Sequence, residues 1–251
     1  MIPWPDVANR IGRYETLTEA LQAMFAVGCY WGEEEHLAIW QKSLGRLANA
    51  HQFGGRYVVL LSRLRLYPAL LLLYAGGIAA VAAGKYRTLR TLLNETIVRD
   101  DRGRSVPVTL AVNAGAKMFD ARELNQVPEM GEKHVPMSNR LFSAVRESVR
   151  EFVPDDQDYR NAFDRFSYLL ALSYVHTTAR DWAPLGLFAT RDSYDDENTI
   201  EKVVQSELQR LTTEWEPLKA GFFQGDYEIA MSTKKTFDDF LSRVRSQWEI
   251  F

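Results

Sequence analysis

Arg46 and His51 are the residues of the sequence whose types and spacing could support acid–base chemistry. Four residues separate them, and both fall in one predicted helix. A histidine can accept a proton from a hydroxyl group near neutral pH, and an arginine can stabilise the negative charge that develops on a phosphate. The alternative is that both side chains belong to a solvated helix end before Gly54, because an arginine-rich helix often produces this spacing by chance.

The same spacing resembles the motif of HEPN-type ribonucleases, which are all-helical proteins. The resemblance implies a dimer that brings two such pairs together and cleaves RNA without a metal. His51 would assist removal of the 2′-hydroxyl proton, and Arg46 would stabilise the phosphorane. That family usually has a polar residue after the arginine, whereas this sequence has Leu47. We therefore rank this function second and expect no cleavage of single-stranded RNA.

Other familiar catalytic and ligand-binding patterns are missing from the sequence. No two of the four histidines have the spacing of metal ligands, and Cys29 is the only cysteine. Gly76 and Gly77 lie within an apolar helix pattern, where they cannot form a phosphate-binding loop between a strand and a helix. The sequence therefore favours a protein that is not an enzyme and that uses no metal and no cofactor.

The charge distribution gives little support to nucleic-acid binding. The net charge is −3 and the isoelectric point is near 5.9, so the whole chain has no attraction to a phosphate backbone. Residues 56–104 do have a local basic character, which comes from Arg56, Arg63, Arg65, Arg87, Arg90, Arg99, Arg102 and Arg104. Because acidic residues from elsewhere could neutralise this patch, nucleic-acid binding stays an alternative that the sequence does not favour.

The first part of the chain predicts two helices. One is expected to begin at Thr16, because residues 16–19 have the form of a capping box, and to be interrupted or ended by Gly28. Four apolar residues at helical spacing form its predicted stripe: Leu17, Leu21, Met24 and Phe25. A second helix is expected to follow the acidic residues 33–35, which suit the positive end of a helix dipole.

Residues 66–84 contain no charged side chain and raise the question of a membrane span. Pro68, Gly76 and Gly77 argue against one continuous span, and a helix that is apolar on all sides is usually buried in a helical core. We expect one helix over residues 69–83 and another over 86–94. The segment between Gly77 and Tyr86 resembles the hinge of a tetratricopeptide repeat, which implies a packed helical hairpin. A single such unit does not establish a repeat array.

The remaining patterns complete an all-α prediction, a multi-helix bundle with at most one small β-hairpin. Two β-branched runs around a polar turn predict the hairpin near residues 96–110. Four further helices are expected over residues 138–153, 156–178, 198–220 and 236–248. Asp155 or Asp156 is expected to cap the second of these. We expect one helical domain over residues 1–251, with a possible subdivision into 1–112 and 137–251.

Two irregular segments, residues 118–136 and 180–194, are candidate docking sites, because binding residues concentrate on loops that a rigid scaffold holds. The second segment combines aromatic and arginine side chains, the usual composition of an interface hot spot. Its predicted binding residues are Arg180, Trp182, Phe188 and Arg191. The alternative is that the two aromatic residues attach the loop to the helices.

Several stretches within residues 60–190 resemble the helical C-terminal region of large bacterial proteins of the anti-phage defence type. They include the run from Tyr67 to Ala80, the Tyr86 pattern that follows and the segment from Val153 to Tyr159. The resemblance implies a module that works beside an effector domain and carries no activity of its own.

The leading hypothesis is therefore a non-catalytic helical interaction or sensing module that acts through a protein partner or effector. The HEPN-like ribonuclease is second, and a membrane-active protein that uses residues 66–84 is third. The N-terminus does not have the pattern of a signal peptide. A lone cysteine in an apolar stretch indicates a buried, reduced thiol, so we expect a cytoplasmic protein. We also expect no membrane association, because residues 66–84 are predicted to form packed helices.

Overall fold

The computed structural model describes residues 4–50, 63–100, 102–114, 134–190 and 199–248. Over these residues the fold is helical apart from one hairpin, which confirms the predicted class. Its helices are α1 (Trp4–Trp31), α2 (Leu37–Asn49), α3 (Tyr67–Ala82), α4 (Tyr86–Arg90), α5 (Val108–Ala114), α6 (Pro136–Ala144), α7 (Arg146–Val149), α8 (Asp156–Thr178), α9 (Ile200–Leu211), α10 (Glu216–Lys219) and α11 (Tyr227–Trp248). The strands are β1 (Ile97–Arg99) and β2 (Ser105–Pro107).

Helix α3 is the centre of the molecule. Every residue from Tyr67 to Val81 is buried, and the helix packs mainly between α1 and α8. Leu70 and Leu73 are among these buried residues, as the all-round apolar pattern predicted. A turn at Gly84, where φ is +69°, leads into α4 and completes the predicted helical hairpin. The apolar character of residues 66–84 is thus used to form the core.

The length of the helices also bears on the membrane question. Among the residues that the structure describes, none of the helices combines the length and the apolar character that a membrane crossing requires.

Gly76 and Gly77 let two neighbouring helices approach the backbone of α3. The Phe25 ring of α1 and the Phe166 ring of α8 occupy the places where a side chain on Gly76 or Gly77 would lie. A Cβ atom on Gly77 would be 2.0 Å from Cε2 of Phe166, well inside van der Waals contact. The glycine pair therefore fixes how closely both helices pack on α3.

The Gly77→Ala variant is expected to lower the free energy of unfolding by about 1–3 kcal/mol, because the added methyl group overpacks a closed site. The matched control is Gly12→Ala in α1, where an added Cβ meets nothing within 4 Å. There the better helix propensity of alanine should raise the free energy of unfolding by up to about 1 kcal/mol. Urea unfolding of both variants measures the contrast. Equal effects would contradict the packing around Gly77.

Helix α8 begins and ends where the sequence indicated. Asp155 is the N-cap residue, and its carboxylate accepts hydrogen bonds from the backbone N–H groups of Gln157 and Asp158 at 2.8 and 2.9 Å. The helix runs to Thr178 and ends at Ala179, which has a left-handed backbone conformation. Its apolar side chains are buried against α3 and α11.

Two predicted helix starts are wrong. Helix α1 begins at Trp4 instead of Thr16, and the Thr16 hydroxyl, within the helix, donates to the carbonyl oxygen of Gly12 at 3.1 Å. Helix α11 begins at Tyr227, nine residues before Thr236. In both cases the predicted start was placed at a later signal, the capping box at Thr16 or the apolar stripe that begins at Phe237, although the earlier turns also contain apolar residues. Packing against other helices holds these turns, for example through Val7 and Ile11, which are buried.

The predicted helix over residues 198–220 is also wrong in its length. Helix α9 ends at Leu211, and Thr212 follows with a positive φ of 46°. Trp215 is extended, and α10 restarts with Pro217 in its first turn. Because proline in a helix interior removes a hydrogen bond and clashes with the preceding turn, a continuous helix through residue 217 is disfavoured.

The hairpin lies where the sequence placed it. Its strands are antiparallel, with Val98 opposite Val106, and it packs against α2, where the backbone N–H of Arg99 donates to Asn49 at 2.9 Å. In the turn, Asp100 accepts hydrogen bonds from the backbone N–H groups of Arg102 and Arg104.

One hydrophobic cluster extends through the described residues from Val7 to Leu241. The connection between the two proposed subdivisions lies mostly outside the described residues.

Candidate functional site

The loop that was predicted to bind a partner is largely tied to the protein's own core. Phe188 is 2% exposed and packs edge-on against the rings of Tyr168 and Phe237. Arg245 of α11 donates hydrogen bonds to the carbonyl oxygens of Phe188 and Ala189 at 3.0 and 2.9 Å. Phe188 is therefore a core residue and does not reach the surface, contrary to the prediction.

Residues 180–187, the rest of the described part of that loop, contain no exposed large apolar side chain. Trp182 is half-buried, and its ring packs edge-on against Tyr174 with the centroids 5.3 Å apart. Arg180 is exposed, and the neighbouring Asp181 pairs with Arg243 at 3.0 Å. Arg191 lies outside the described residues. In the described part of the loop, Arg180 and part of Trp182 are thus accessible to solvent.

The predicted ribonuclease pair cannot be assembled from the described residues. Arg46 is exposed near the end of α2, and His51 lies outside the described residues. The nuclease reading stays a prediction. Within the described part of the chain, no group of three or more His, Cys, Asp or Glu side chains is arranged to hold a metal ion.

Several arginines of the predicted basic patch have acidic neighbours. Arg90 pairs with Glu95 at 2.6 Å and Arg104 with Asp100 at 2.7 Å. Arg87 lies 3.4 Å from a carboxylate oxygen of Glu34. These pairings reduce the positive charge that residues 63–104 offer to a phosphate backbone.

A groove of about 780 Å³ lies beside α8, between α9 and the segment that joins α7 to α8. Phe152, Ile200 and Val203 give it an apolar wall, and Asn161 and Arg165 give it a polar one. The Arg165 guanidinium is already engaged, since it donates to both carboxylate oxygens of Glu207 at 2.8 and 2.6 Å. The groove has room for a small ligand, but the Arg165 guanidinium in its wall is paired with Glu207.

Glu207 is the centre of a cluster of polar and charged side chains that also includes Arg165 and Trp215. Its carboxylate also accepts a hydrogen bond from the indole N–H of Trp215 at 2.9 Å. Burial alone would raise the pKa of Glu207, but the hydrogen bonds and positive charge of Arg165 outweigh burial and hold this pKa below its ordinary value. On the other side, the Arg165 guanidinium lies 5.5 Å from the centroid of the Tyr86 ring. The cluster therefore connects α4, α8, α9 and Trp215, the residue that precedes α10.

Among the described residues, one face of α1 has an unusual surface, and we call it the α1 outer face. It consists of five large apolar side chains that point away from the core: Leu17, Leu21, Met24, Val27 and Trp31. Leu17, Met24 and Trp31 are 68, 61 and 67% exposed. Their spacing of seven residues places them on one line along the helix. Of the seven large apolar side chains that are exposed among the described residues, five belong to this single face.

The opposite face of α1 is the one that contacts the core, and it contains polar groups. Gln22 is 1% exposed; its side chain donates to the Thr18 hydroxyl at 2.9 Å and accepts from the Ser148 hydroxyl at 3.3 Å. Further towards the N-terminus, Glu15 binds Arg140 and the Tyr67 hydroxyl. Helix α1 therefore has apolar side chains on both sides: residues such as Ile11 and Phe25 are buried with these polar groups, and the α1 outer face is exposed. An ordinary surface helix has its apolar residues on one side only.

The two ends of the α1 outer face carry opposite charges. Arg10 and Arg13 are exposed at its N-terminal end, and their spacing continues the same line of side chains. Glu33, Glu34 and Glu35 follow its C-terminal end, with side chains 78, 71 and 80% exposed. Their contacts with Lys85, Arg87 and His36 are long, between 3.4 and 4.0 Å, so these acidic groups remain accessible.

Comparison of the chain with protein-family models, curated proteins and solved structures gave no significant match. The resemblance of residues 60–190 to helical regions of anti-phage defence proteins therefore stays a prediction.

The sequence pattern did not separate the α1 outer face from the core-facing side of α1. Leu17, Leu21, Met24 and Phe25 were predicted to form one apolar stripe, but of these four only Phe25 is buried, at 0% exposed. The signal that could have revealed the face is the absence of any charge from Ala20 to Gly32. A helix that packs on the core by one side cannot bury apolar residues on every side.

Proposed function

We propose that the chain is a non-catalytic helical interaction module that binds a protein partner through the α1 outer face. The supporting observation is the alignment of Leu17, Leu21, Met24, Val27 and Trp31 on one exposed helix face. Single exposed apolar residues are common on soluble proteins, whereas a contiguous row of them marks an interaction surface. Within the part of the chain that the structure describes, these side chains lie outside the hydrophobic core.

The energetic argument rests mainly on the largest residue of the face. A tryptophan side chain buries about 150–250 Å², and Trp31 is 67% exposed, so most of that area is available to a partner. Apolar area removed from water contributes about 25 cal/mol per Å². Aromatic residues are also enriched among the side chains that dominate binding energy. Trp31 and Met24 are therefore the proposed anchors of the interface.

The biological setting is proposed on the resemblance alone. Residues 60–190 resemble the helical region of bacterial anti-phage defence proteins, in which such a region works with an effector. The module would then work with an effector in the bacterial cytoplasm. The genes adjacent to this one, or the domains of a longer parent chain, are the observation that tests this setting.

A photo-reactive benzoylphenylalanine at position 24 is expected to cross-link to another protein chain in cells, because Met24 lies at the centre of the α1 outer face. The control carries the same group in place of Glu228, an exposed residue of α11, and should give no adduct. Adding Leu17→Glu and Trp31→Glu should remove the adduct at position 24. Mass spectrometry of the product identifies the second chain. If position 24 gives no intermolecular adduct, the proposed interface is wrong.

A further inference from the structure

We infer that the α1 outer face binds the same face of a second copy of this chain, with the two helices antiparallel. This inference rests on the proposed function and identifies its partner. Two-fold dimers require a surface that is complementary to itself. Both the arrangement of the apolar residues and the charges at the two ends meet that requirement.

The apolar residues are symmetric about Met24. If a two-fold axis passes at Met24, antiparallel helices place Leu17 opposite Trp31 of the second copy and Leu21 opposite Val27 of the second copy. The two Met24 side chains then meet at the axis. The face extends over fifteen residues, about 21 Å of helix, and Ala20, a small residue between Leu17 and Leu21, is also exposed. Large side chains at spacings of three and four residues are the pattern by which paired helices interlock.

The charges decide the direction of the pair. Arg10 and Arg13 lie in α1 on the N-terminal side of Leu17, and Glu33, Glu34 and Glu35 follow the C-terminal end of α1 at Trp31. An antiparallel pair therefore brings Arg10 and Arg13 of one copy to the glutamates of the other. A parallel pair would place arginines beside arginines and glutamates beside glutamates. Because exposed ion pairs contribute little affinity but do select orientation, the charges favour the antiparallel arrangement.

The size of the surface indicates the strength of the dimer. Stable interfaces bury about 800 Å² per partner, and five partly exposed side chains supply less than that. The charged ends and neighbouring residues must contribute the rest. We therefore expect a dissociation constant on the order of micromolar. Sedimentation velocity of the purified full chain across a concentration series should show a monomer–dimer equilibrium in that range.

The Met24→Glu variant should weaken the dimer at least tenfold, because it places two carboxylates at the axis. Met24 is 61% exposed, so the monomer should keep its fold and its melting temperature. The matched control is Ile97→Glu, a similar change at a 53% exposed residue of β1, which should leave the dimer unchanged. Arg13→Glu should weaken the dimer, and adding Glu35→Arg should restore it.

Engineered cysteines provide an independent test of whether the two α1 helices of the dimer are antiparallel. The native Cys29 is buried and the only cysteine, so it adds no background. Under oxidised glutathione, Met24→Cys should form a disulfide-linked dimer. A mixture of Leu17→Cys and Trp31→Cys chains should form the mixed dimer in preference to either homodimer. Preferential Leu17→Cys homodimers would overturn the antiparallel arrangement. A chain that stays monomeric at all concentrations overturns the inference, while a cross-link from position 24 to a different protein would still support the proposed function.

Discussion

The Leu73→Ala variant is expected to lower the free energy of unfolding by about 2–5 kcal/mol. Leu73 lies in the middle of α3 and is 0% exposed, with helices packed on both sides of α3. Truncation removes buried apolar area and leaves a cavity that the closely packed neighbours cannot fill. Urea unfolding followed by circular dichroism should show a lower midpoint with an unchanged dependence on urea concentration.

The matched control for this prediction is Leu17→Ala, the same chemical change at an exposed leucine of α1. Its effect should stay within about 0.5 kcal/mol, since surface substitutions away from special features change stability little. Both variants should be measured at a concentration where the chain is monomeric, because any dimer through α1 would add to the apparent stability. If Leu73→Ala costs no more than the control, α3 is not the centre of the core.

The Glu207→Gln variant is expected to lower the free energy of unfolding by about 2–3 kcal/mol. Removing one partner of a buried ion pair leaves the other charge uncompensated, which costs about 3–5 kcal/mol when burial is complete. The side chains of Arg165 and Glu207 retain 18 and 23% exposure, so the expected cost is somewhat smaller. The control is Glu147→Gln, whose carboxylate pairs with Arg150 at the surface and should contribute less than about 1 kcal/mol.

The effect of Glu207→Gln on the free energy of unfolding should depend on pH, because the pKa of Glu207 is lowered in the folded protein. A carboxyl group with a lower pKa in the folded state than in the unfolded state stabilises the fold when it is ionised. The stability difference between the native chain and Glu207→Gln should be complete at neutral pH. It should decrease as the pH falls below the ordinary value of a glutamate and through the folded pKa. A difference that grows at acidic pH would contradict the Arg165–Glu207 pair.

The structural elements that the sequence predicted correctly are those that neighbouring residues determine. The cap at Asp155, the burial of residues 67–81 and the hairpin near residues 97–107 each follow from neighbouring residues. The start of α11 does not, because its first turns contain polar residues such as Lys234. That residue is 3% exposed and is neutralised by Asp238 at 2.5 Å, and Asp238 also binds Tyr168, seventy residues away in sequence. Periodicity cannot anticipate a buried lysine with a distant partner network.

The candidate site was hidden for a related reason. The sequence showed that Leu17, Met24 and Phe25 are apolar, but which of them faces α3 depends on the position of Gly76, more than fifty residues later. The Arg165–Glu207 pair likewise joins residues 42 positions apart. Apolar composition identified helices correctly, while the division of each helix into inner and outer faces required the tertiary arrangement.

The position of Cys29 has a practical consequence for studying the motions of the molecule. Its sulfur lies at the contact between α1 and α3, 3.0 Å from the place of a Cβ atom on Gly76. Burial raises the pKa of this thiol, so at neutral pH it stays protonated and unreactive while the two helices are in contact. Labelling by a thiol reagent then requires the two helices to separate. The rate of that labelling therefore measures the rate at which α1 separates from α3, and the native Cys29 thiol serves as the probe.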